Sequence, residues 1–378
     1  MMTPVSPPKS WAVFGIVVLI LACLLLVSGI LPSSEPSVPV IQKNETVVIY
    51  DSTGNRVELD HPATRIIALN TQAAEMLIII GAGDHIVGVA DSVKNHKEIM
   101  DKIPYVPSVG SGTTPDIEKI LTLHPDLIIT YASLKPKNFD SLVGSKVNIV
   151  ALDCYKLESL SDDAKALGIL TGNPDGAARY ILFNERYQTL IQSRLANLSS
   201  DEQPRVLGEG GDYSPMVRVS GGGQAIAALH AINVYGNNSV PEWPVVSPEW
   251  ILEQDPDIVI KTIDLDVNNA SLKDTYHAFI TRPGYSRLKA VQSIRVFIYD
   301  RDLVSGTGSV IGLVYLAKAF YPDRFSDIEP ATVLDEYTRE FHFTSSATDN
   351  FYPPFREQNQ SPDDSDESLP KIKGLRVS

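Results

Sequence analysis

A chain of 378 residues with 43% hydrophobic content is long enough for one large or two medium domains with a real core. Its formal net charge of -14 argues against nucleic-acid binding, which wants a basic stripe to neutralise phosphates. With only Cys23 and Cys154, and Cys23 inside an apolar segment, no intrachain disulfide framework is plausible, and Cys154 reads as a small buried hydrophobe.

In chain order, residues 11–31 contain no charged side chain. At ~1.5 Å rise per residue such a helix crosses the ~30 Å hydrocarbon core of a bilayer. Lys9 precedes the run and no basic residue follows before Lys43. The positive-inside bias therefore places residues 1–10 in the cytoplasm and everything after Pro32 outside. A retained single-pass anchor is expected. A cleaved signal peptide is the alternative, but the run is long for one and no clean small-x-small site follows it. Ile20-Leu21-Ala22-Cys23 bears a faint likeness to a lipoprotein box, yet apolar residues continue beyond it. Residues 32–46 form a linker whose Pro- and Ser-rich stretch reads as a spacer off the bilayer. Sequons at Asn44, Asn197, Asn237 and Asn269 are compatible with glycosylation outside the cell.

From residue 47 short apolar runs alternate with helical stretches. The predicted strands are Arg65–Leu69, His85–Val89, Leu127–Thr130, Val147–Leu152, Arg205–Gly208, Ile258–Thr262 and Val296–Tyr299. Continuous apolar strands separated by helices indicate parallel sheets covered on both faces, an α/β architecture. Residues 175–198 read as one uninterrupted helix, ~35 Å long, between two such halves. The chain is thus divided into an N-terminal lobe over 47–172, an interlobe helix over 173–200 and a C-terminal lobe over 201–328. An extension follows over 329–378. Beyond about residue 345 apolar periodicity is lost, SPDDSDES is acidic and of low complexity, and disorder is expected.

An internal repeat carries the most information. Residues 116–130, DIEKILTLHPDLIIT, align without gaps on residues 247–261, SPEWILEQDPDIVIK. Each copy opens on a good N-cap residue, Asp116 or Ser247. A glutamate, Glu118 or Glu249, falls in the first turn, where the helix dipole favours it. An Ile-Leu pair faces the core, and Pro125 or Pro256 ends the helix before a strand begins. Two copies of one helix–strand unit imply two similar lobes.

The doubled motif resembles the binding proteins for iron–siderophore, haem and vitamin B12 import by ABC transporters. Three further stretches share the likeness: 51–57 with 62–69, the Glu75-to-Val89 run through Gly81-Ala82-Gly83, and Trp243-Pro244-Val245-Val246-Ser247-Pro248-Glu249. The resemblance covers about residues 47–328. It implies a class III clamshell: two Rossmann-like lobes with parallel sheets, joined by a long rigid helix. It also implies a non-enzymatic receptor without a cofactor, whose ligand is a ferric siderophore, haem or cobalamin. The implied partners are an ABC permease and its ATPase, docked through Glu118 and Glu249.

Ligands of open α/β sheets bind beyond the carboxyl ends of the strands. In the first lobe that rule selects Asn70, Thr71, Asp91, Ser92, Ser111, Gly112, Tyr131 and Tyr155. In the second it selects Tyr213, Trp243, Lys261, Thr262, Asp300 and Arg301. Aromatics suit flat or bulky organic ligands, and Lys261 and Arg301 suit anionic groups. Three rival readings fit the sequence less well. A bare Zn or Mn receptor lacks paired histidines among the seven present. An enzyme lacks GxSxG, HExxH and CxxC motifs. A surface module uncoupled from transport does not account for the glutamate pair.

Overall fold

The computed structural model describes residues 46–134, 136–142, 145–236, 244–265, 271–343 and 351–353. The segments expected as anchor, over 11–31, and as acidic tail lie outside the described residues. Among the described residues no helix is long and apolar enough to cross a membrane.

The first elements form an antiparallel hairpin, β1 (Val47–Tyr50) with β2 (Arg56–Leu59), in the register Val47↔Leu59. Alternation is strict. Val47, Ile49, Val57 and Leu59 are buried while their neighbours face out, as a period of two dictates. Asp51 closes the turn, its Oδ1 accepting from the amides of Thr53 and Asn55 at 2.9 Å each.

The N-terminal sheet follows, in order β4-β3-β5-β6 and parallel throughout. Its strands are β3 (Ile66–Ala68), β4 (Ile86–Val89), β5 (Leu127–Thr130) and β6 (Asn148–Ala151). Helix α1 (Thr71–Ile79) leaves β3, α2 (Ile117–Thr122) precedes β5, and α3 (Leu160–Thr171) follows β6. Then comes α4 (Pro174–Leu195), 22 residues and ~33 Å long, with proline where the missing N–H costs nothing.

The C-terminal sheet has the order β11-β10-β9-β7-β8, where β11 is Phe351–Tyr352. Strands β7 (Arg205–Glu209), β8 (Ile232–Asn233), β9 (Ile258–Ile263) and β10 (Val296–Asp300) are mutually parallel. Helices α5 (Gly221–Ala228), α6 (Pro248–Gln254), α7 (Leu272–Ile280) and α8 (Ser309–Phe320) cover it. Side-chain alternation splits the core. Ile258 and Ile260 join an apolar cluster that runs through α4 into the N-terminal lobe. Val259, between them, joins a second cluster with Phe279 and Tyr285 on the opposite face.

Helix α4 packs along α3 on one side and against α8 on the other, so it contacts both lobes. Its first turn comes very close to the end of α1: a Cβ on Gly176 would sit 1.9 Å from the carbonyl oxygen of Ile80.

The described residues of the C-terminal extension include one helix and one short strand. Helix α9 (Pro330–Phe341) buries Val333, Leu334, Tyr337 and Phe341. Phe341 and Tyr337 meet Phe183 of α4 at centroid distances of 5.6 and 5.5 Å. The expectation of disorder from about 345 is corrected at Phe351–Tyr352, which form β11, antiparallel to β10. Phe351 packs against Phe297 at 5.4 Å and Tyr315 at 5.2 Å. Two aromatic residues fix this edge strand through contacts distant in sequence, which local polarity does not reveal.

Candidate functional site

The two lobes meet across a cavity of about 560 Å³. The N-terminal lobe supplies Tyr155, four residues past the end of β6. The C-terminal lobe supplies Gly210, Gly211, Ser214 and Met216 after β7, Val219 to Gly222 at the start of α5, Thr262 on β9, and Arg301, Val304 and Ser305 after β10. The wall is thus made of strand ends and one helix start. A second hollow of about 600 Å³ lies between β1 and α3, but only the N-terminal lobe lines it. The first has the two-sided geometry of a clamp.

Glycines shape the C-terminal wall. A Cβ on Gly222 would lie 2.1 Å from the Met216 sulfur, and one on Gly223 would lie 2.0 Å from the Val217 carbonyl oxygen. Helix α5 therefore starts flush against loop 214–218, which side chains would push apart. Ser220 caps it, accepting from the Gly223 amide at 3.2 Å. The lobes are joined here as well: the Leu157 amide donates to Gln224 Oε1 at 3.1 Å.

On the N-terminal side Tyr155 lines the cavity and Tyr131 stands behind it, edge to face, with centroids 6.0 Å apart. Tyr131 donates its hydroxyl to Gln72 Oε1 at 2.6 Å, and burial pushes its pKa up to about 12. Burial also raises Tyr155. Both phenols are therefore neutral apolar faces with a polar tip, suited to stacking rather than to anionic ligation. Arg301 lines the cavity, is largely exposed and pairs with Asp264 at 3.5 Å.

Other residues expected in the cleft are spent on the fold. Asn70 is fully buried; it caps α1 by accepting from the Ala73 amide at 2.5 Å and donates to the Leu152 carbonyl at 3.0 Å. Asp91 takes a hydrogen bond from the Ser108 hydroxyl. Thr71 is buried and borders a small void of about 30 Å³ at the lobe junction. Asp300 is buried at the end of β10. Lys261, expected as an anion receptor, is 5% exposed, with its ammonium against Glu209 at 2.7 Å and Asp212 at 3.0 Å. Tyr213 lies under the Arg282 guanidinium, 4.5 Å from its centroid. Ser111 is exposed, and Gly112 crosses so near Leu69 that a Cβ would be 2.7 Å from its carbonyl oxygen. Trp243 lies outside the described residues.

Glu118 and Glu249 are both exposed in the first turns of α2 and α6. Their settings match closely. Asp116 accepts from the Lys119 amide at 3.0 Å, and Ser247 accepts from the Trp250 amide at 3.1 Å. The repeat read in the sequence is thus repeated in the capping geometry, one copy per lobe.

Sequence reasoning missed the lobe junction. Glu75 of α1 receives a hydrogen bond from the Thr307 hydroxyl of the other lobe. Thr307 is fully buried. Its Oγ1 accepts from Tyr337 of α9 and its carbonyl from Tyr180 of α4, each at 2.9 Å. Burial raises the Glu75 carboxyl to about 8, with Asp302 and Glu98 adding to the rise and the Thr307 hydrogen bond opposing it. The available signal was a single carboxylate inside the otherwise uncharged stretch TQAAEMLIII.

Two parallel α/β lobes, a connecting helix and a two-sided cleft define a clamshell that holds a solute. The family model described as "Periplasmic binding protein" matches residues 66–303, and the chain belongs to that family. It is a solute-binding protein, not an enzyme. The chain is 26% identical over 322 residues to the uncharacterized ABC transporter substrate-binding lipoprotein YvrC of Bacillus subtilis, covering 82% of this chain and 97% of that one. It is 27% identical over 250 residues to the vitamin B12-binding protein of Vibrio cholerae, covering 64% and 82%. Among solved structures, the TroA-like periplasmic binding protein FepB of Veillonella parvula superposes with a TM-score of 0.67 at 22% identity, covering 78% and 96%.

Proposed function

We propose that this protein is the capture subunit of an ABC importer, taking up an iron complex (siderophore or haem) or a corrinoid. The ligand lies in the 560 Å³ cleft, against Tyr155 on one side and the Gly210–Met216 and Ser220–Gly222 walls on the other. The apolar segment 11–31 holds the protein at the membrane, and the lobes stand outside the cell. Glu118 and Glu249 dock on basic residues of the permease, which works with its ATPase. The observation that carries this reading is the pairing of a ligand-sized, two-lobed cleft with one exposed, identically capped glutamate per lobe. Carboxylates so placed set orientation and association rate on a two-fold partner more than affinity.

Calorimetric titration of the protein with ferric siderophores, haem, cobalamin and bare divalent cations tests the cargo. Saturable binding of one organic class at micromolar concentration or below is expected. Binding of bare cations alone, or of nothing, overturns the reading.

A further inference from the structure

Four charged side chains cluster behind the turn that forms one wall of the cleft. Glu209 ends β7 and Lys261 is its partner in the register of β9, so both point to the same face of the sheet. Glu209 is 1% exposed and accepts from Lys261 at 2.7 Å. It also holds Arg282 bidentately, at 2.9 and 3.0 Å. Arg282 follows α7 and is fixed by stacking, its guanidinium 4.5 Å from the Tyr213 centroid and 4.8 Å from that of Phe279.

The fourth member differs. The Asp212 side chain is 72% exposed, and its contacts to Lys261 and Arg282, at 3.0 and 2.7 Å, both run through Oδ1. Charge balance makes Asp212 significant. Glu209 neutralises one of two nearly buried cations, so without Asp212 the cluster carries a net positive charge out of water, which is costly. Asp212 rides on the tight turn Gly210–Ser214, where Tyr213 takes a positive φ of 59° and the Gly210 amide donates to the Ser214 carbonyl. Three residues of that turn, Gly210, Gly211 and Ser214, line the cleft.

We infer that Asp212 occupies an anion subsite in place of the ligand, and that a carboxylate or oxyanion group of the solute displaces it to pair with Lys261 and Arg282. Displacement would release the Gly210–Ser214 turn, coupling anion capture to the shape of the cleft wall. The inference rests on the cleft being the ligand site, but its chemistry is testable without the natural solute.

The test is calorimetric titration of the full chain in mild detergent with citrate and, separately, inorganic phosphate. Asp212→Asn removes the competing charge and keeps the turn's polar side chain. It should bind one of these probes more tightly than the parent by on the order of tenfold or more, the worth of one charge-assisted contact. Asp212→Glu should restore weak binding, and Arg282→Gln on the Asp212→Asn background should abolish the gain. Asp212→Ala gives the same readout should the asparagine itself cap the cations. Equal anion affinity in parent, Asp212→Asn and Asp212→Ala overturns the subsite. That result is separate from the importer reading, which fails only when no organic cargo binds the parent.

Discussion

Replacing Glu75 by glutamine should stabilise the protein, and by an amount that depends on pH. In the folded state the carboxyl is pushed up to about 8, against an ordinary value of 4.5, and burial is the largest cause. Between those values the unfolded chain has released its proton while the native protein keeps it. Native protein then binds more protons than unfolded, so stability falls as pH rises. The stabilisation is fully present below the unfolded value and is lost as pH rises through the folded one. One pKa unit is worth about 1.4 kcal/mol, so at pH 7 the loss reaches about 3 kcal/mol. That is a ceiling, because the residue keeps some exposure. Glutamine keeps an oxygen for the Thr307 hydroxyl and never ionises. Urea denaturation of parent and Glu75→Gln at pH 4.5, 6, 7 and 8 measures the difference directly. His96, Glu98 and Asp302 line the same junction and are present in both proteins, so the comparison isolates the change at position 75. The two stabilities should converge near pH 4.5 and diverge by up to about 1.4 kcal/mol per pH unit above it. Parallel curves would refute the claim that Glu75 holds its proton at neutral pH.

Glu118→Arg with Glu249→Arg should abolish uptake while leaving cargo affinity unchanged; uptake at the parental rate in a transport assay sinks the docking role. Gly176→Ala forces a methyl to within 1.9 Å of the Ile80 carbonyl oxygen, which lies in backbone and cannot swing away. A loss of at least the ~1–3 kcal/mol typical of overpacking is expected in chemical denaturation, and an unchanged midpoint would show that α1 and α4 separate freely. Burial holds the Cys154 thiol well above its usual pKa, with Asp163 and Asp153 adding to the rise. Mass spectrometry should find the Cys154 peptide unalkylated by iodoacetamide at pH 8 in native protein and fully labelled in denaturant.

Much of the fold was legible because its signals are local. Leu127–Ile129 is apolar throughout and lies in a wholly buried strand, and the run from Asp175 to Leu195 has glycine only in its first turn and is helical. The repeat was legible for the same reason: N-cap, glutamate and terminating proline lie within one helix and act through its own backbone. The cleft was legible only as a neighbourhood. The strand-end rule led to Tyr155 and Arg301, which line the cavity, and equally to Asn70 and Lys261, which are buried and engaged within their own lobes.

What the sequence alone determined is the α/β class, the two lobes and their connecting helix, since periodicity and capping are properties of contiguous residues. Tertiary structure alone decided which strand-end side chains face solvent across the cleft. It also decided the Glu75–Thr307 junction across 232 positions and the pairing of β11 with β10. Each of these depends on groups far apart in the chain. Whether a polar side chain is free or spent is set by the partner that folding brings to it, and no local pattern encodes that partner.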